Sequence, residues 1–597
     1  MTYRAPVKDM LFVMKELADI DAVAALPGFE DAGFETAEAV LLESAKFNED
    51  VVAPLNWEGD RNPSTFNSGV VTTTAGFKEA FTQYARGGWQ GLQHPTAFGG
   101  QGLPKLIHAA CSEMVNSACM SFALCPLLTD GAVEALLTAG SPEQQAAIIP
   151  KLIDGTWTGS MNLTEPQAGS DLSLVRTRAE PLPDGTFKLF GTKIYITYGE
   201  HDMAANILHL VLARVVGAPP GVKGISLFIV PKFIVAADGA LGARNDVHCV
   251  SIEHKLGIKA SPTAVLQFGD HGGAVGHLVG QQNRGLETMF IMMNAARYAV
   301  GLQGVAVAER ALQKAVRYAR DRVQSRPVDG SLPDSAAIIH HPDVRRMLMT
   351  MRASTEGCRA LASVAAAAYD LAHHHADAQV RQSNQAFYEF MVPLVKGYST
   401  EMSLEVTSLG VQVHGGMGFI EETGAAQYLR DAKILTIYEG TTAIQANDLV
   451  GRKTARDGGA TARAIAAQIA VTEEALAADG TAAATAMRNR LSAARGAFLD
   501  VVDFVVEHNR ANPNAVYAGS VPYLMLAGNL MAGWQMARAL QVAERQLASG
   551  EGDADFLQAK VATARFYAEH ILIKVAGLRD AVVEGHESVT AMSLDAF

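Results

Sequence analysis

Two stretches of the chain carry apolar residues at helical spacing, and they flank a stretch with a different pattern. The helical pattern occurs in AEAVLLESAKFNEDVV near the start, and again in VGLQGVAVAERALQKAVRYARDR after about residue 282. A further Ala-rich helical block follows the break TARDGGATA. The pattern predicts helical domains over residues 36–158, 273–453 and 454–597, preceded by an N-terminal extension over residues 1–35.

The middle of the chain, residues 159–272, has the pattern of a β-sheet. It contains short runs rich in β-branched and aromatic residues, namely TFKLFGTKIYITYG, ANILHLVLARVV, GISLFIVPKFIV and AVLQFGD, which Gly, Pro and Asp separate. The runs follow one another too closely for crossover helices, so an antiparallel sheet is expected and a doubly wound parallel sheet is disfavoured. The fold class is therefore α+β, in the order helical, β, helical, helical.

Composition narrows the function classes. The 597 residues include 49 Lys and Arg against 62 Asp and Glu, a formal net charge of −13, which argues against broad nucleic-acid binding but permits a local site for an anionic ligand. The five cysteines form no CxxC pair, so we expect neither disulfides nor a metal site, and a cytoplasmic location. The sequence also predicts no signal peptide and no membrane span.

Three segments offer candidate chemistry, and each has an ordinary structural explanation as well. The loop MNLTEPQAGSD carries the hydroxyls of Thr164 and Ser170 and could bind a ring or a phosphate, or be a plain turn. In GTKIYITYG, Tyr195 and Thr197 lie two apart and face one side of a regular strand, as a stacking platform or an ordinary cross-strand surface. Glu439 follows an apolar run, so it is either a base with a raised pKa or an acid at a helix N-terminus.

The order of these segments is more specific than any one of them. TEPxAGSD, GTKxxIT, KLGIKASPT and RDAKIxxIYEGT occur in succession, and together they resemble the acyl-CoA dehydrogenase family over residues 40–453. The length and the added helical block resemble large members, among them the bacterial 3-(methylthio)propanoyl-CoA dehydrogenase-like enzymes. The resemblance implies a helical N-domain, an antiparallel β middle domain, a four-helix-bundle C-domain and an additional C-terminal helical domain, with FAD between the middle and C-domains and across a subunit interface.

The resemblance also implies roles for individual residues. Glu439 matches the catalytic base, and Arg322 matches the arginine that reaches the FAD pyrophosphate of the partner subunit. The other cofactor-binding positions are Leu163, Thr164, Tyr195, Ile196, Thr197, Gln412, Gly415, Gly416 and Thr441, and the substrate-binding positions are Ser170, Arg297 and Gly440. The chain departs from the family pattern at an insertion over residues 327–341, at His414 and at Asn447.

The function implied is FAD-dependent α,β-dehydrogenation of an acyl-CoA to the trans-2-enoyl-CoA. Glu439 would remove the α proton while a hydride leaves for the flavin, and electrons would pass to electron-transfer flavoprotein. The acyl group would be 3-(methylthio)propanoyl or a medium or long fatty chain, and the protein would be a homodimer whose apolar C-terminal block packs on the rest of the chain. The alternatives are an acyl-CoA oxidase and a DNA-damage-associated flavoprotein, although residues 453–597 carry 16 acidic and 13 basic residues.

Overall fold

A computed structural model describes residues 3–236 and 239–597 of the chain. The described residues divide into two compact units. The sheet unit comprises Lys46–Leu103 and Ala118–Ala296. The helical unit comprises Tyr3–Ala45, Pro104–Ser117 and Arg297–Phe597.

Twenty α-helices lie within the described ranges, with short 3-10 and π-helical turns beside several of them. The helices are α1 (Val7–Glu16), α2 (Ile20–Ala24), α3 (Phe34–Phe47), α4 (Ala53–Arg61), α5 (Phe77–Arg86), α6 (Lys105–Ala139), α7 (Pro142–Ile153), α8 (Gly285–Asp321), α9 (Pro342–His374), α10 (Ala378–Pro393), α11 (Ser399–Val413), α12 (Ala425–Lys433), α13 (Thr442–Asp448), α14 (Ala460–Asp479), α15 (Ala482–His508), α16 (Pro513–Ala518), α17 (Ser520–Ser549), α18 (Ala554–Tyr567), α19 (Lys574–Val583) and α20 (His586–Val589).

The strands belong to the sheet unit. They are β1 (Thr65–Asn67), β2 (Val70–Thr72), β3 (Trp157–Asn162), β4 (Arg178–Pro181), β5 (Phe187–Thr197), β6 (Asn206–Val215), β7 (Ile225–Pro231), β8 (Phe233–Val235), β9 (Leu241–Arg244), β10 (Val247–Ile252), β11 (Thr263–Phe268) and β12 (Ala274–Val279). The main sheet has the order β10-β11-β5-β12-β7-β6-β3, with β4 beside β5 and β6. The predicted α+β class is confirmed.

The main sheet departs from the expected antiparallel arrangement at one edge. Strand β3 pairs with β6 in parallel, and β4 also pairs with β6 in parallel, whereas the other pairings in this sheet are antiparallel. Strand β3 ends at Asn162 and β6 begins at Asn206, with β4 and β5 between them in the chain, so the two strands are joined by a long connection of the kind that a parallel pair requires. The prediction of a wholly antiparallel sheet is wrong for these two pairs.

Burial explains why the strands have few polar positions. Along β6, Leu208 and Leu210 join a core with α6, α7 and β3, whereas Val211 and Ala213 join a second core on the opposite face. Both faces of this strand are covered, so its pattern is continuously apolar instead of alternating.

The helical unit packs its C-terminal helices onto a bundle of long helices. Helix α8 lies against α9, because the Tyr298 hydroxyl donates to the Ala362 carbonyl at 2.8 Å. It also lies so close to the turn before α11 that a side chain added at Gly301 would place its Cβ 2.4 Å from the Val395 carbonyl. Helix α17 approaches the same turn so closely that a Cβ at Gly528 would lie 2.1 Å from the ring of Tyr398. The apolar face of α17 is thus buried against this chain, as predicted.

One described helix, α6, is long and apolar enough to cross a membrane by length and composition. Its most apolar window has a mean hydropathy of 1.4, and 72% of that window is buried inside the protein, as in a core helix. The backbone at Cys119 also leaves the helical region, with φ −156° and ψ 98°. The absence of a membrane span stays a prediction.

Candidate active site

Glu439 occupies a strained turn in the helical unit. The turn connects a 3-10 segment, Ile434–Thr436, to α13. Glu439 has φ +53° and Gly440 has φ +86°, so two successive residues are left-handed. A left-handed conformation at a residue with a Cβ costs about 1–2 kcal/mol and persists only where the surroundings impose it. Thr441 then caps α13, its side chain accepting the Ile444 N–H at 3.3 Å.

A buried lysine holds both sides of this turn. The Nζ of Lys396 donates to the carbonyl of Leu435 at 2.8 Å and to the carbonyl of Gly440 at 2.6 Å. Lys396 is fully buried in a π-helical turn, residues 394–398, between α10 and α11. Gln445 adds longer contacts from Nε2 to the carbonyls of Glu439 (3.3 Å) and Gly440 (3.4 Å). The backbone of the turn that carries Glu439 is therefore held by Lys396, which comes from a distant part of the chain, and by Gln445 of α13.

Tyr438, the residue before Glu439, is fixed as well. The hydroxyl of Tyr438 donates to Oε1 of Gln303 on α8. Nε2 of the same Gln303, which is fully buried, donates to Oδ1 of Asn116 on α6 at 3.0 Å. This chain of hydrogen bonds leaves Tyr438 little freedom, so the turn has a rigid support on each side.

The electrostatics around Glu439 suit a proton acceptor. Burial raises the pKa of the Glu439 carboxyl, and the nearby cations Arg297 and Lys396 oppose that rise. Burial lowers the pKa of Lys396 to about 8, against the pull of Glu439. Arg297 is 4% exposed, and its Nη1 lies 3.9 Å from Oδ2 of Asp448. A carboxylate with a raised pKa is a stronger base than an exposed one, which favours the base interpretation over a simple helix-terminal acid.

The other predicted residues of the helical unit lie at its surface, near the C-terminal ends of α8 and α11. Arg322 follows α8 and is exposed, with its Nη2 3.5 Å from Oε1 of Gln324. Gln412, Gly415 and Gly416 are exposed at the end of α11, and His414 stacks on Tyr318 of α8 at 4.4 Å between ring centroids. The structure thus groups Arg297, Gly440 and Thr441 with Glu439. The stack of His414 on Tyr318 joins the segment 412–416 to α8 one turn before Arg322.

The insertion over residues 327–341 forms a short hairpin after Arg322. Val323 bridges to Ala337, and the Gln324 N–H donates to the Ala336 carbonyl at 3.0 Å. The Nε2 of His341 lies 2.7 Å from the Gln324 carbonyl and closes the base of the hairpin. The insertion therefore extends the surface next to Arg322.

In the sheet unit, Leu163 and Thr164 follow β3 and are tied to β5. The Ile194 N–H donates to the Thr164 carbonyl at 3.0 Å, and Nζ of Lys193 donates to the Leu163 carbonyl at 2.9 Å. Lys193 also forms a buried ion pair with Glu165 at 2.8 Å. Burial would raise the pKa of Glu165, but Lys193 and further hydrogen bonds hold it at about 2. The ion pair fixes the loop after β3 against the strand that carries the second motif.

A β-bulge interrupts that strand at Tyr195. Lys193 pairs with Leu266, and Ile196 pairs with Ala264. Between these pairs, the two residues 194–195 lie opposite the single residue Val265, which makes the bulge. Tyr195 has φ +59°. Lys193 is buried whereas Tyr195 is 62% exposed, so the alternation of buried and exposed positions is broken between these two residues. That Tyr195 and Thr197 face one side stays a prediction. Ile196 is buried, Thr197 is half-buried and Ser170 is exposed in the preceding loop.

Sequence reasoning missed the residues that support the site. Lys396, Gln303 and Gln445 are single polar residues inside helical segments, and the pairing of Glu165 with Lys193 spans 28 positions. Lys396 interrupts the apolar run MVPLVKG, and this is the one signal in the sequence that could have drawn attention to it.

Four family descriptions match successive parts of the chain. "Acyl-CoA dehydrogenase, N-terminal domain" matches residues 35–156, the middle domain of the same family matches residues 160–271, and its C-terminal domain matches residues 283–453. "Acetyl-CoA dehydrogenase C-terminal like" matches residues 462–593.

Similar proteins include two curated bacterial enzymes and a solved structure. The chain is 54% identical to 3-methylmercaptopropionyl-CoA dehydrogenase of Ruegeria pomeroyi over 100% of both chains. It is 35% identical to the broad-specificity linear acyl-CoA dehydrogenase FadE5 of Mycobacterium tuberculosis over 97% of both. An acyl-CoA dehydrogenase from Bacillus anthracis, solved in complex with FAD, has the same fold, with a TM-score of 0.74 and 21% sequence identity. The match covers 95% of this chain and 91% of that chain.

Proposed function

The chain belongs to the acyl-CoA dehydrogenase family, and on that premise we propose that it is an FAD-dependent enzyme which oxidises the α,β bond of 3-(methylthio)propanoyl-CoA. The family makes it an oxidoreductase and implies a flavin cofactor. The observation that carries the choice of substrate is the 54% identity, over the whole chain, with an enzyme named for this acyl group. Medium and long fatty acyl-CoAs are the competing substrates.

Glu439 would remove the proton from the α carbon. A carboxylate alone is too weak for this, so the thioester carbonyl must be polarised by donors already in place. The N–H of Glu439 donates to no acceptor in the described ranges, and it belongs to the same rigid turn as the carboxylate. It can therefore donate to the thioester oxygen while the side chain takes the proton.

The residues present fit a flavin. The hydroxyls of Thr164 and Thr197 are half-buried and make no hydrogen bond within the described part of the chain, so both remain available to a heteroaromatic ring. Tyr195 offers an exposed aromatic face beside them, and Leu163 and Ile196 are their neighbours in the chain. When bound, FAD supplies the acceptor for the hydride that leaves the β carbon.

A panel of acyl-CoAs tests this function. The purified chain is expected to be yellow with about one FAD per chain, and to reduce an artificial acceptor fastest with 3-(methylthio)propanoyl-CoA. Pentanoyl-CoA is the matched control, because a methylene replaces sulfur in a chain of the same length. Because this exchange conserves volume, it is worth less than about 1.5 kcal/mol, so a preference of up to about 10-fold in kcat/KM is expected. A preference for palmitoyl-CoA would contradict the substrate, and a chain that cannot be loaded with FAD would contradict the function.

We propose electron-transfer flavoprotein as the acceptor and the cytoplasm as the location. The competing acceptor is oxygen, which would make the protein an acyl-CoA oxidase. Turnover that stops when the added acceptor is omitted, with no oxygen consumed, is the expected result. Rapid oxygen uptake would identify the oxidase instead.

We expect a homodimer. Arg322 is exposed at the end of α8, where it could bind a phosphate group held by a partner subunit. The neighbouring 3-10 segment after α11 exposes Met417 (50%) and Phe419 (86%), which a second copy would cover. Light scattering should give about twice 63.4 kDa. A stable tetramer, or a monomer that retains FAD, would contradict this expectation.

Replacing Lys396 with Met should slow flavin reduction by the substrate without loss of FAD. Two carbonyls beside Glu439 lose a charged donor, so the turn is held less firmly. A fall of at least about 10-fold is expected, which is the equivalent of one such hydrogen bond at about 1.5 kcal/mol. Removing the cation also raises the pKa of Glu439 further, and the base must be ionised to act. The rate should therefore reach its plateau at a higher pH than in the unmodified enzyme, as stopped-flow reduction measures.

Two further variants complete that experiment. Lys396→Arg keeps the charge and should restore most of the pH profile. Lys574→Met removes an exposed lysine that pairs with Glu405 at 3.3 Å, and it should leave both rate and profile unchanged. An unchanged pH profile in Lys396→Met would show that Lys396 does not act on Glu439.

A further inference from the structure

Three metal-ligating side chains converge on the sheet unit, where β10 begins. Asp246 precedes β10, His248 lies in it, and His271 lies in the turn between β11 and β12. One potential ligand atom from each residue lies within 4.8 Å of the other two. Among the described residues no other group of three His, Cys, Asp or Glu side chains meets the same condition.

The carboxylate of Asp246 is held in place before any ion arrives. Its Oδ2 accepts the N–H of His271 at 2.8 Å and the N–H of Gly273 at 3.0 Å. The preceding Asn245 is buried and donates to the carbonyls of Pro231 (2.9 Å) and Val275 (2.8 Å). These contacts fix the backbone and one oxygen, so the other oxygen, Oδ1, is left pointing at the two imidazoles. Such outer contacts orient ligands in natural metal sites.

The distances from Oδ1 suit a tetrahedral ion. Oδ1 of Asp246 lies 3.1 Å from Nδ1 of His271, with which it forms a hydrogen bond, and 3.4 Å from Nε2 of His248. Two ligands bound at about 2.0–2.1 Å in a tetrahedron lie about 3.3 Å apart. An N–H···O hydrogen bond is ordinarily about 2.7–3.2 Å long, so the separation to His248 is long for a hydrogen bond and close to a tetrahedral edge.

We propose that Asp246, His248 and His271 form a binding site for a divalent transition cation of the zinc class. Its ligands would be Oδ1 of Asp246, Nε2 of His248 and Nδ1 of His271, with water in the remaining position. Two imidazoles and one carboxylate favour Zn²⁺ over Mg²⁺ or Ca²⁺, which prefer oxygen ligands. The side chain of His271 is 76% exposed and that of His248 is 39% exposed, so the ion would exchange with solvent, unlike a buried structural zinc.

The sequence predicted no metal site, because that reasoning rested on the cysteines. The motif Asp-Val-His supplies two ligands, but the third is more than twenty positions further on. Only the pairing of β10 with β11 brings the turn that carries His271 back to Asp246. A bound ion would link the start of β10 to that turn.

Calorimetric titration of the full chain with ZnCl2, in a buffer that does not chelate and without a polyhistidine tag, tests the proposal. The double variant His248→Ala/His271→Ala should bind about one Zn²⁺ fewer per chain than the unmodified protein. Asp246→Asn keeps the shape and an oxygen acceptor for the two N–H groups, and it should weaken binding at this site at least tenfold. The matched control is His373→Ala/His374→Ala, which removes two histidines of a run that does not converge on shared ligands.

The control should titrate like the unmodified protein, and MgCl2 at the same concentration should give no binding that depends on these residues. Equal Zn²⁺ uptake by the unmodified protein and the His248/His271 variant would overturn the proposal. Loss of uptake in the control alone would assign the ion to the histidine run and overturn it as well. All these variants keep the catalytic machinery, so acyl-CoA oxidation is unaffected and the result does not depend on the proposed function.

Discussion

Glu439→Gln is expected to bind FAD and acyl-CoA but to lose flavin reduction by the substrate. Gln has nearly the same shape and cannot accept a proton. Loss of a general base typically costs about 10²–10⁴-fold, and the groups near Glu439, Arg297 and Lys396, are cations that cannot take over its role in their charged forms. Anaerobic stopped-flow mixing with substrate, followed at the flavin absorbance, measures the effect directly.

The pH dependence identifies the group that is lost. Glu439 acts as a base only when ionised, and burial raises its pKa, so reduction by the unmodified enzyme should become faster as pH rises through a value above that of an exposed glutamate. The residual rate of Glu439→Gln should not increase with pH over this range. Glu422→Gln, an exposed carboxylate in the 3-10 segment Glu421–Thr423, is the matched control and should reduce normally. Bleaching at an undiminished rate in Glu439→Gln would place the base elsewhere.

The second large effect is expected from Arg359→Met, which should destabilise the helical unit by about 3–5 kcal/mol. Arg359 on α9 is 2% exposed and serves three carboxylates. It donates to Glu113 of α6 (2.6 Å), Glu309 of α8 (2.7 Å) and Asp9 of α1 (2.8 Å). Met fills much of the volume of Arg359 but leaves the three carboxylates buried without their shared cation. Buried charges that have lost their partner destabilise a fold strongly.

Thermal melting and limited proteolysis measure this loss, because a chain with two compact units need not unfold in a single step. A fall of the melting midpoint on the order of 5 °C is expected. The matched control is Arg346→Met, on the same helix but half-exposed and paired with Asp343 three positions earlier. It should change stability by less than about 0.5 kcal/mol. If Arg359→Met were as stable as Arg346→Met, the cluster would make no net contribution to the stability of the helical unit.

The cluster also gives a pH test with a definite sign. Burial alone would raise the pKa of Asp9, but the cations Lys560 and Arg359 hold that pKa at about 2. The ionised Asp9 therefore stabilises the folded protein above its unfolded pKa of about 4, and this stabilisation is lost only as the pH falls toward 2. Burial raises the pKa of Glu113 even with Arg359 in place. Without Arg359 that pKa rises further, and protonation relieves the repulsion. The deficit of Arg359→Met should therefore shrink as pH falls from 8 to 5, and a constant deficit would contradict the electrostatic explanation.

Local pattern was sufficient to predict the order of the helical and sheet regions, whereas the candidate site residues came from the resemblance to a known family. Helical spacing and the short β-branched runs depend on neighbours within a few positions. The ordered motifs added Glu439, Thr164 and Thr197 as candidates, and the roles of these residues stay predictions. The helical and sheet regions follow from the same patterns, because each element has to bury one face or both.

Features that depend on distant partners were not visible. The bulge at Tyr195 arises from the register of β5 against β11, and the parallel edge depends on β3 lying beside β6. The hydrogen bond from Lys396 to the Gly440 carbonyl, in the turn of Glu439, joins residues 44 positions apart. Nothing in the composition of either segment specifies its partner, so one sequence without its fold does not reveal these contacts.

The cluster around Arg359 has a consequence for the synthesis of the protein. Lys8 of α1 pairs with Asp553 just before α18, 545 positions later, and Lys560 of α18 contacts Asp9. A ribosome that adds about 5–20 residues per second makes the first of these residues roughly half a minute to two minutes before the last. During that time Lys560, which contacts Asp9 in the folded protein, has not yet been made. The N-terminal helix therefore acquires its final contacts only when translation is nearly complete, so a chain cut short of α18 lacks the residues that close this part of the fold.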